Sequence, residues 1–193
     1  LIKELRMRIS LSAALLVLVN VSSLFAQSEI RVLATNKTST MEKEMNEAAG
    51  AGFRFADVMG GETSFGGSEV VAVMVRDAGA KHAFQYRLLA TNKTSTMQKE
   101  LQQAGDAGFE YRGQTIFGST FGGKEVVVIL ERNKSTETPI KYDYRLLAAK
   151  RTSTLQKEVA DAMAAGYEFV GLTVADTAVG GDEVVCILRK PSR

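Results

Sequence analysis

The sequence holds one cysteine, one histidine and no tryptophan in 193 residues. With Cys186 alone, no intrachain disulfide can form. Zinc and iron sites usually draw several ligands from His and Cys. His82 and Cys186 stand in separate segments and do not supply such a set. His82 reads as a solvated spacer residue, and Cys186 as a small apolar side chain inside a strand. Gly-x-Ser-x-Gly, the P-loop and the dinucleotide-binding glycine pattern are all missing. No catalytic residue, metal ligand or cofactor is assigned on these grounds. A charge excess is missing too. The whole chain carries a formal +2, and beyond residue 26 the basic and acidic side chains balance. A neutral chain has no global field to gather nucleic acid along a phosphate backbone.

What is present begins with a leader. Arg8 precedes "ISLSAALLVLVNVSSLFA", an apolar run without charge that ends in Ala26-Gln27-Ser28. A basic start, an apolar stretch and a small residue at its end form the pattern of a secretory signal peptide over residues 1–26. Met7 is a candidate start, with residues 1–6 an upstream extension. The competing reading is an uncleaved membrane anchor, for which the run from Ile9 to Ala26 is marginal in length; cleavage after Ala26 instead leaves no stable membrane span and a periplasmic or secreted protein. No cysteine follows the apolar run, so lipid attachment there has no support.

The rest is a repeat. "ATNKTSTM" occurs at Ala34–Met41 and again, letter for letter, at Ala90–Met97, with "AAKRTSTL" at Ala148–Leu155. Residues 30–76, 86–132 and 144–190 align without gaps, and roughly half of the positions in the first two copies are identical. Each copy opens with a short apolar strand. A helix follows, with Ser39 and Glu42, Ser95 and Gln98, or Ser153 and Gln156 at the spacing of a capping box. Apolar residues recur at helical spacing, as in Met97, Leu101 and Ala104. Gly52, Gly108 and Gly166 stop the helices. A strand with alternating aromatics comes next, then a Gly-Gly loop and a continuous β-branched run such as "EVVVILER", which predicts a central strand. The expected fold is α+β: three tandem β-α-β-β repeats, each a three-stranded mixed sheet with one covering helix. Strand three is central, strands one and two run parallel on either side, and the helix makes a right-handed crossover. A unit this short buries little core alone, so the open sheet faces are expected to pack on one another or on a neighbouring chain, which makes an oligomer an open possibility.

Tyr86-Arg87, Leu101, Gly108-Phe109-Glu110, Val127, Ile129 and Arg132, with their counterparts in the other copies, resemble a family of short bacterial domains of unknown function. There a strand and helix lead into Gly-Trp-Glu and a closing hairpin that ends in a basic residue. This chain has Phe or Tyr in place of Trp, and Arg54 where Glu is expected. The resemblance implies the fold and no chemistry.

Two surfaces are candidates for function. Lys37 with Ser39, Lys93 with Ser95, and Arg151 with Ser153 lie at helix starts, where free N–H groups, hydroxyls and a cation suit a small anion; the same groups also suit simple capping. The Gly-Gly loops, with Phe65, Gly66 and Gly67, Phe121, Gly122 and Gly123, and Gly180 and Gly181, suit partner contact, or serve only as hairpin turns. Glu69, Glu125 and Glu183 follow these loops and converge only if the repeats pack around an axis. Three functions stand side by side. One is an exported non-enzymatic binding or structural protein that offers repeated surfaces to a protein or envelope component. Another is a binder of a small anion or metabolite at the helix starts. A third, an enzyme built on Glu and Lys or Tyr, has no unique polar cluster behind it.

Overall fold

The computed structural model describes residues 28–63, 67–76, 83–118, 124–177 and 181–192. The leader, His82 and the loop residues Phe65, Gly66, Phe121, Gly122, Gly123 and Gly180 lie outside them. The first unit comprises β1 (Glu29–Thr35), α1 (Thr38–Gly50), β2 (Arg54–Thr63) and β3 (Gly67–Arg76). The second comprises β4 (Phe84–Thr91), α2 (Thr94–Asp106), β5 (Glu110–Gly118) and β6 (Lys124–Asn133). The third comprises β7 (Tyr142–Ala149), α3 (Thr152–Ala164), β8 (Glu168–Thr177) and β9 (Gly181–Pro191). The fold is α+β, with three helices and three separate three-stranded sheets among the described residues.

The apolar run is the central strand of each sheet, in the orders β1-β3-β2, β4-β6-β5 and β7-β9-β8. The outer strands run in the same direction, but the central strand separates them. Every hydrogen-bonded ladder is therefore antiparallel, and the sheets are not mixed as the sequence suggested. Each second strand carries one irregularity at the same place, between Phe55 and Asp57, Tyr111 and Gly113, and Phe169 and Gly171.

The helices end as their glycines predict. Gly52 has φ +88°, Gly108 +78° and Gly166 +87°, a region where a side chain is strained. Phe53 N–H donates to the Ala48 carbonyl at 3.0 Å and Gly52 N–H to that of Ala49 at 3.0 Å. This paired closure satisfies carbonyls that the helix end leaves free. The aromatic that follows is clamped between two cations. Arg31 and Arg76 lie over Phe53, Arg87 and Arg132 over Phe109, and Arg145 and Lys190 over Tyr167. Arg76 and Arg132 also donate to the terminal helix carbonyls of Ala51 and Ala107. The arginines, glycine and aromatic that carry the family resemblance thus form one clamp on the helix end.

The units stack. In the first, α1 lies mainly over β1, and β5 of the second unit lies over β2. One core holds Met41, Met45, Phe55 and Met74 from the first unit with Tyr86 and Ile129 from the second. The next core joins Leu101, Phe109 and Leu130 to Tyr144, Val185 and Ile187 in the same way. Each interior sheet is covered on one side by the preceding unit and on the other by its own helix. β6 shows the result, with Val126 to Leu130 all buried. In β3 only the alternate residues Val70, Ala72 and Met74 are buried, because no described unit precedes it.

Candidate functional site

The expected capping boxes do not form. The N-caps are Lys37, Lys93 and Arg151, and none of the three helices has a side-chain cap bond. Ser39, Ser95 and Ser153 sit inside the first turn and are exposed, as are the three cations before them. Thr35 and Thr91 hydroxyls instead accept from the N–H groups of Lys37 and Lys93. Glu42 and Gln98, the other halves of the boxes, are drawn away by the neighbouring unit.

There they close the joints. Glu42 accepts from Leu88 N–H at 2.8 Å, while Asn46 accepts from Tyr86 N–H and donates to Tyr86 C=O, each at 3.0 Å. In the second joint, Gln98 accepts from Leu146 N–H and donates to Tyr144 C=O. Gln102 accepts from Tyr144 N–H and donates to Tyr142 C=O. Side chains one helical turn apart thus satisfy the outer backbone groups of β4 and β7, which would otherwise be open sheet edges. The positions Glu42 and Asn46 correspond to Gln98 and Gln102, and in α3 to Gln156 and Ala160.

Tyr86 and Tyr144 fill the joints. Tyr86 Oη accepts from Phe55 N–H and donates to Glu131, each at 2.8 Å. Tyr144 Oη accepts from Tyr111 N–H and donates to the Phe109 carbonyl. Burial pushes both phenols well above the usual tyrosine range. A charge pair stands beside each tyrosine, with its sign reversed between the joints. Arg54 of the first unit meets Glu131 of the second at 2.8 Å, and Glu110 of the second meets Arg189 of the third at 2.9 Å. Glu131 is only 3% exposed. Its hydrogen bond raises the Arg54 guanidinium pKa despite the cost of desolvation. A cavity of about 310 Å³ opens where these charges approach, lined by Arg54, Phe84, Glu110, Glu131 and Tyr142 among others. Arg54 stacks on Phe84, and Arg189 on Tyr142. These charged groups are engaged with one another.

Glu69, Glu125 and Glu183 lie in three different central strands, opposite Gly61, Phe117 and Ala175. Among the described residues, no group of three or more His, Cys, Asp or Glu is placed to hold a metal ion. Of the loop glycines, Gly67 and Gly181 open β3 and β9, and Gly67 has φ +69°. Cys186 is fully buried, and burial pushes its thiol up to about 11, so it stays protonated at neutral pH. Among the described residues, no helix is long and apolar enough to cross a membrane.

The two ends of the stack are different. On the open face of the first sheet, Ile30, Val32 and Met59 are between 61% and 72% exposed. Ala34, Val71, Val73 and Val75 share this face by register. On the far side of the third unit, Met163, Phe169, Leu172 and Val174 are between 50% and 58% exposed. Met163, Phe169 and Leu172 line a groove of about 400 Å³ together with Leu155, Val159 and Cys186. Of the large apolar side chains exposed among the described residues, only Ile140 lies elsewhere. No protein-family model, curated protein or solved structure matches the chain.

The sequence reading missed Asn46, Gln102 and Glu131, and with them the joints. A signal was available, because positions 54 and 131 change sign together at 110 and 189. Arg54 stands where the other two units have Glu110 and Glu168, and its partner Glu131 stands where the third unit has Arg189.

Proposed function

We propose that this chain is an exported, non-enzymatic binding or structural protein that engages a protein partner through the apolar faces at the two ends of its stack. The observation that carries this reading is the concentration of exposed apolar side chains on those two faces. Scattered single hydrophobics are ordinary on a protein surface, whereas contiguous patches mark interaction sites. The interior joints support the reading, because the same faces elsewhere in the chain bind a sheet. Export rests on the basic and apolar leader.

The test is a photo-crosslinking amino acid placed at Val32 or at Leu172 in the producing cells, with Lys99 on the exposed side of α2 as the control. Discrete protein adducts at either face and none at Lys99 are expected. If neither face gives an adduct, the reading fails.

A further inference from the structure

The two apolar end faces are the two halves of one joint. The face of Ile30, Val32, Ala34, Val71 and Val73 corresponds, residue for residue, to the face of Tyr86, Leu88, Ala90, Val127 and Ile129 that the first unit covers. Met163, Phe169 and Leu172 correspond to Ala49, Phe55 and Val58, which the second unit covers, and to Gly105, Tyr111 and Gln114, which the third covers. We infer that the chain associates with a second copy of itself head to tail, the first unit of one copy docking on the third unit of the other. The inference rests on the reading of these faces as protein-binding and names their occupant.

Polar features agree with this pairing. Gln156 holds the position of Glu42 and Gln98, which bond the outer edge of the incoming strand. The groups that it would meet are Val32 N–H and Ile30 C=O, homologous to Leu146 N–H and Tyr144 C=O. Charge also selects the partner. Glu168 stands where Arg54 and Glu110 stand, and Arg189 of its own unit already neutralises it at 2.6 Å. On the incoming face its counterpart is Val75, so no like charge is buried against it. A second unit in that place would present Glu131 to Glu168 instead.

Besides the missing charge pair and Met163 in place of Ala49 and Gly105, three differences make this joint weaker than the interior ones and reversible. Ile30 replaces the tyrosine, and Ala160 replaces Asn46 and Gln102. Asp57 replaces Gly113 and Gly171. A Cβ on Gly113 would lie 3.1 Å from the Phe55 ring, and one on Gly171 would strike the Tyr111 hydroxyl. Asp57 therefore stands where the aromatic of the preceding unit approaches most closely. An open head-to-tail contact adds copies into a filament unless its rotation closes a ring.

The test is sedimentation velocity of the purified chain over a range of concentrations. The sedimentation coefficient is expected to rise with concentration. Val32→Glu and Phe169→Glu, both at exposed sites, should leave the thermal midpoint unchanged at concentrations where the wild-type chain is monomeric. Each should weaken association about a hundredfold or more, because an unpaired charge is buried. An equimolar mixture of the two should form a dimer, since each variant keeps the face the other has lost. Asp57→Gly should tighten association about tenfold by restoring the interior glycine. A monomer at every concentration overturns the inference. So does association abolished by Phe169→Glu and untouched by Val32→Glu, which means a tail-to-tail pair. The reverse pattern, or a mixture that stays monomeric, overturns it as well. Crosslinks from Val32 or Leu172 to a different protein, with the chain itself monomeric, would overturn this inference and leave the broader reading standing.

Discussion

The joint between the first and second units and the joint between the second and third share one backbone plan and carry opposite charge. In both, a helix bonds the edge of the next sheet and a tyrosine enters the preceding core. In the first, a cation from the lower unit meets a buried carboxylate above. In the second, a carboxylate from the lower unit meets a cation above. The clamp on each helix end, by contrast, keeps its glycine, its aromatic and its two cations in all three units. Residues that build a unit stay alike, and so does the joint tyrosine, while the charged residues that join units change as a pair. The pairing also disfavours other neighbours. The third unit on the first would set Arg189 against Arg54, and the second unit on another copy of itself would set Glu131 against Glu110. Like charges in contact penalise wrong neighbours.

The comparison breaks most visibly at Glu131. Glu131→Ala removes the acceptor of Tyr86 and the partner of Arg54, and should cost about 3 kcal/mol. Glu110→Ala, which removes a more exposed carboxylate and leaves Arg189 paired with Glu168, should cost under about 1 kcal/mol. Urea denaturation of the two variants measures the difference, and equal costs would remove the asymmetry. Next comes the swap. Arg54→Glu alone sets two carboxylates together, and adding Glu131→Arg gives the first joint the polarity of the second. A double-mutant cycle should recover about 1–2 kcal/mol. The edge bonds are expected to be similar in the two joints. Asn46→Ala and Gln102→Ala should each cost about 1–2 kcal/mol, with faster hydrogen exchange at the amides of Tyr86 and Tyr144 respectively.

A gain is expected at one site. The Gln114 side-chain amide is buried without a hydrogen-bond partner, where Val58 stands in the first joint. Gln114→Leu should stabilise the second joint by about 1 kcal/mol and raise the thermal midpoint by a few degrees. The buried thiol and phenols give stability a pH dependence on the alkaline side. The folded state raises the Cys186 thiol from 9.0 to about 11 and moves the joint tyrosines in the same direction. A raised folded pKa means that the folded state holds its proton more tightly. The contribution is therefore complete below pH 9 and lost as pH climbs towards 11. Cys186→Val should remove the thiol's share of that loss, read from denaturation midpoints at pH 8 and pH 10.5.

Much of each unit was legible in the sequence because its causes are local. Helix spacing, Gly108 at the helix end and the β-branched run of β6 each obey rules that operate within a few residues. The capping box failed for the opposite reason. Ser39 and Glu42 have the right spacing, yet Glu42 turns to Leu88 N–H, 46 positions away. A cap on an exposed helix start can be replaced by water. The edge of β4 packs against α1, where its backbone groups need protein partners. The exposed helix-start cations Lys37, Lys93 and Arg151 were also visible in the sequence. The apolar end faces were not, because Val32 and Leu88 look alike until one is seen covered and the other bare.

By itself, then, the sequence determined three copies of a β-α-β-β unit, the central strand of each and the glycine that ends each helix. Those features follow from backbone sterics and from the periods of helix and strand, which short windows express. The tertiary structure alone decided that the units stack, that Glu42 and Gln98 serve the next sheet, and that Arg54 meets Glu131. It also decided which apolar faces stay open. Burial is a property of the whole stack, and the free energy of removing apolar surface from water depends on which unit lies above it.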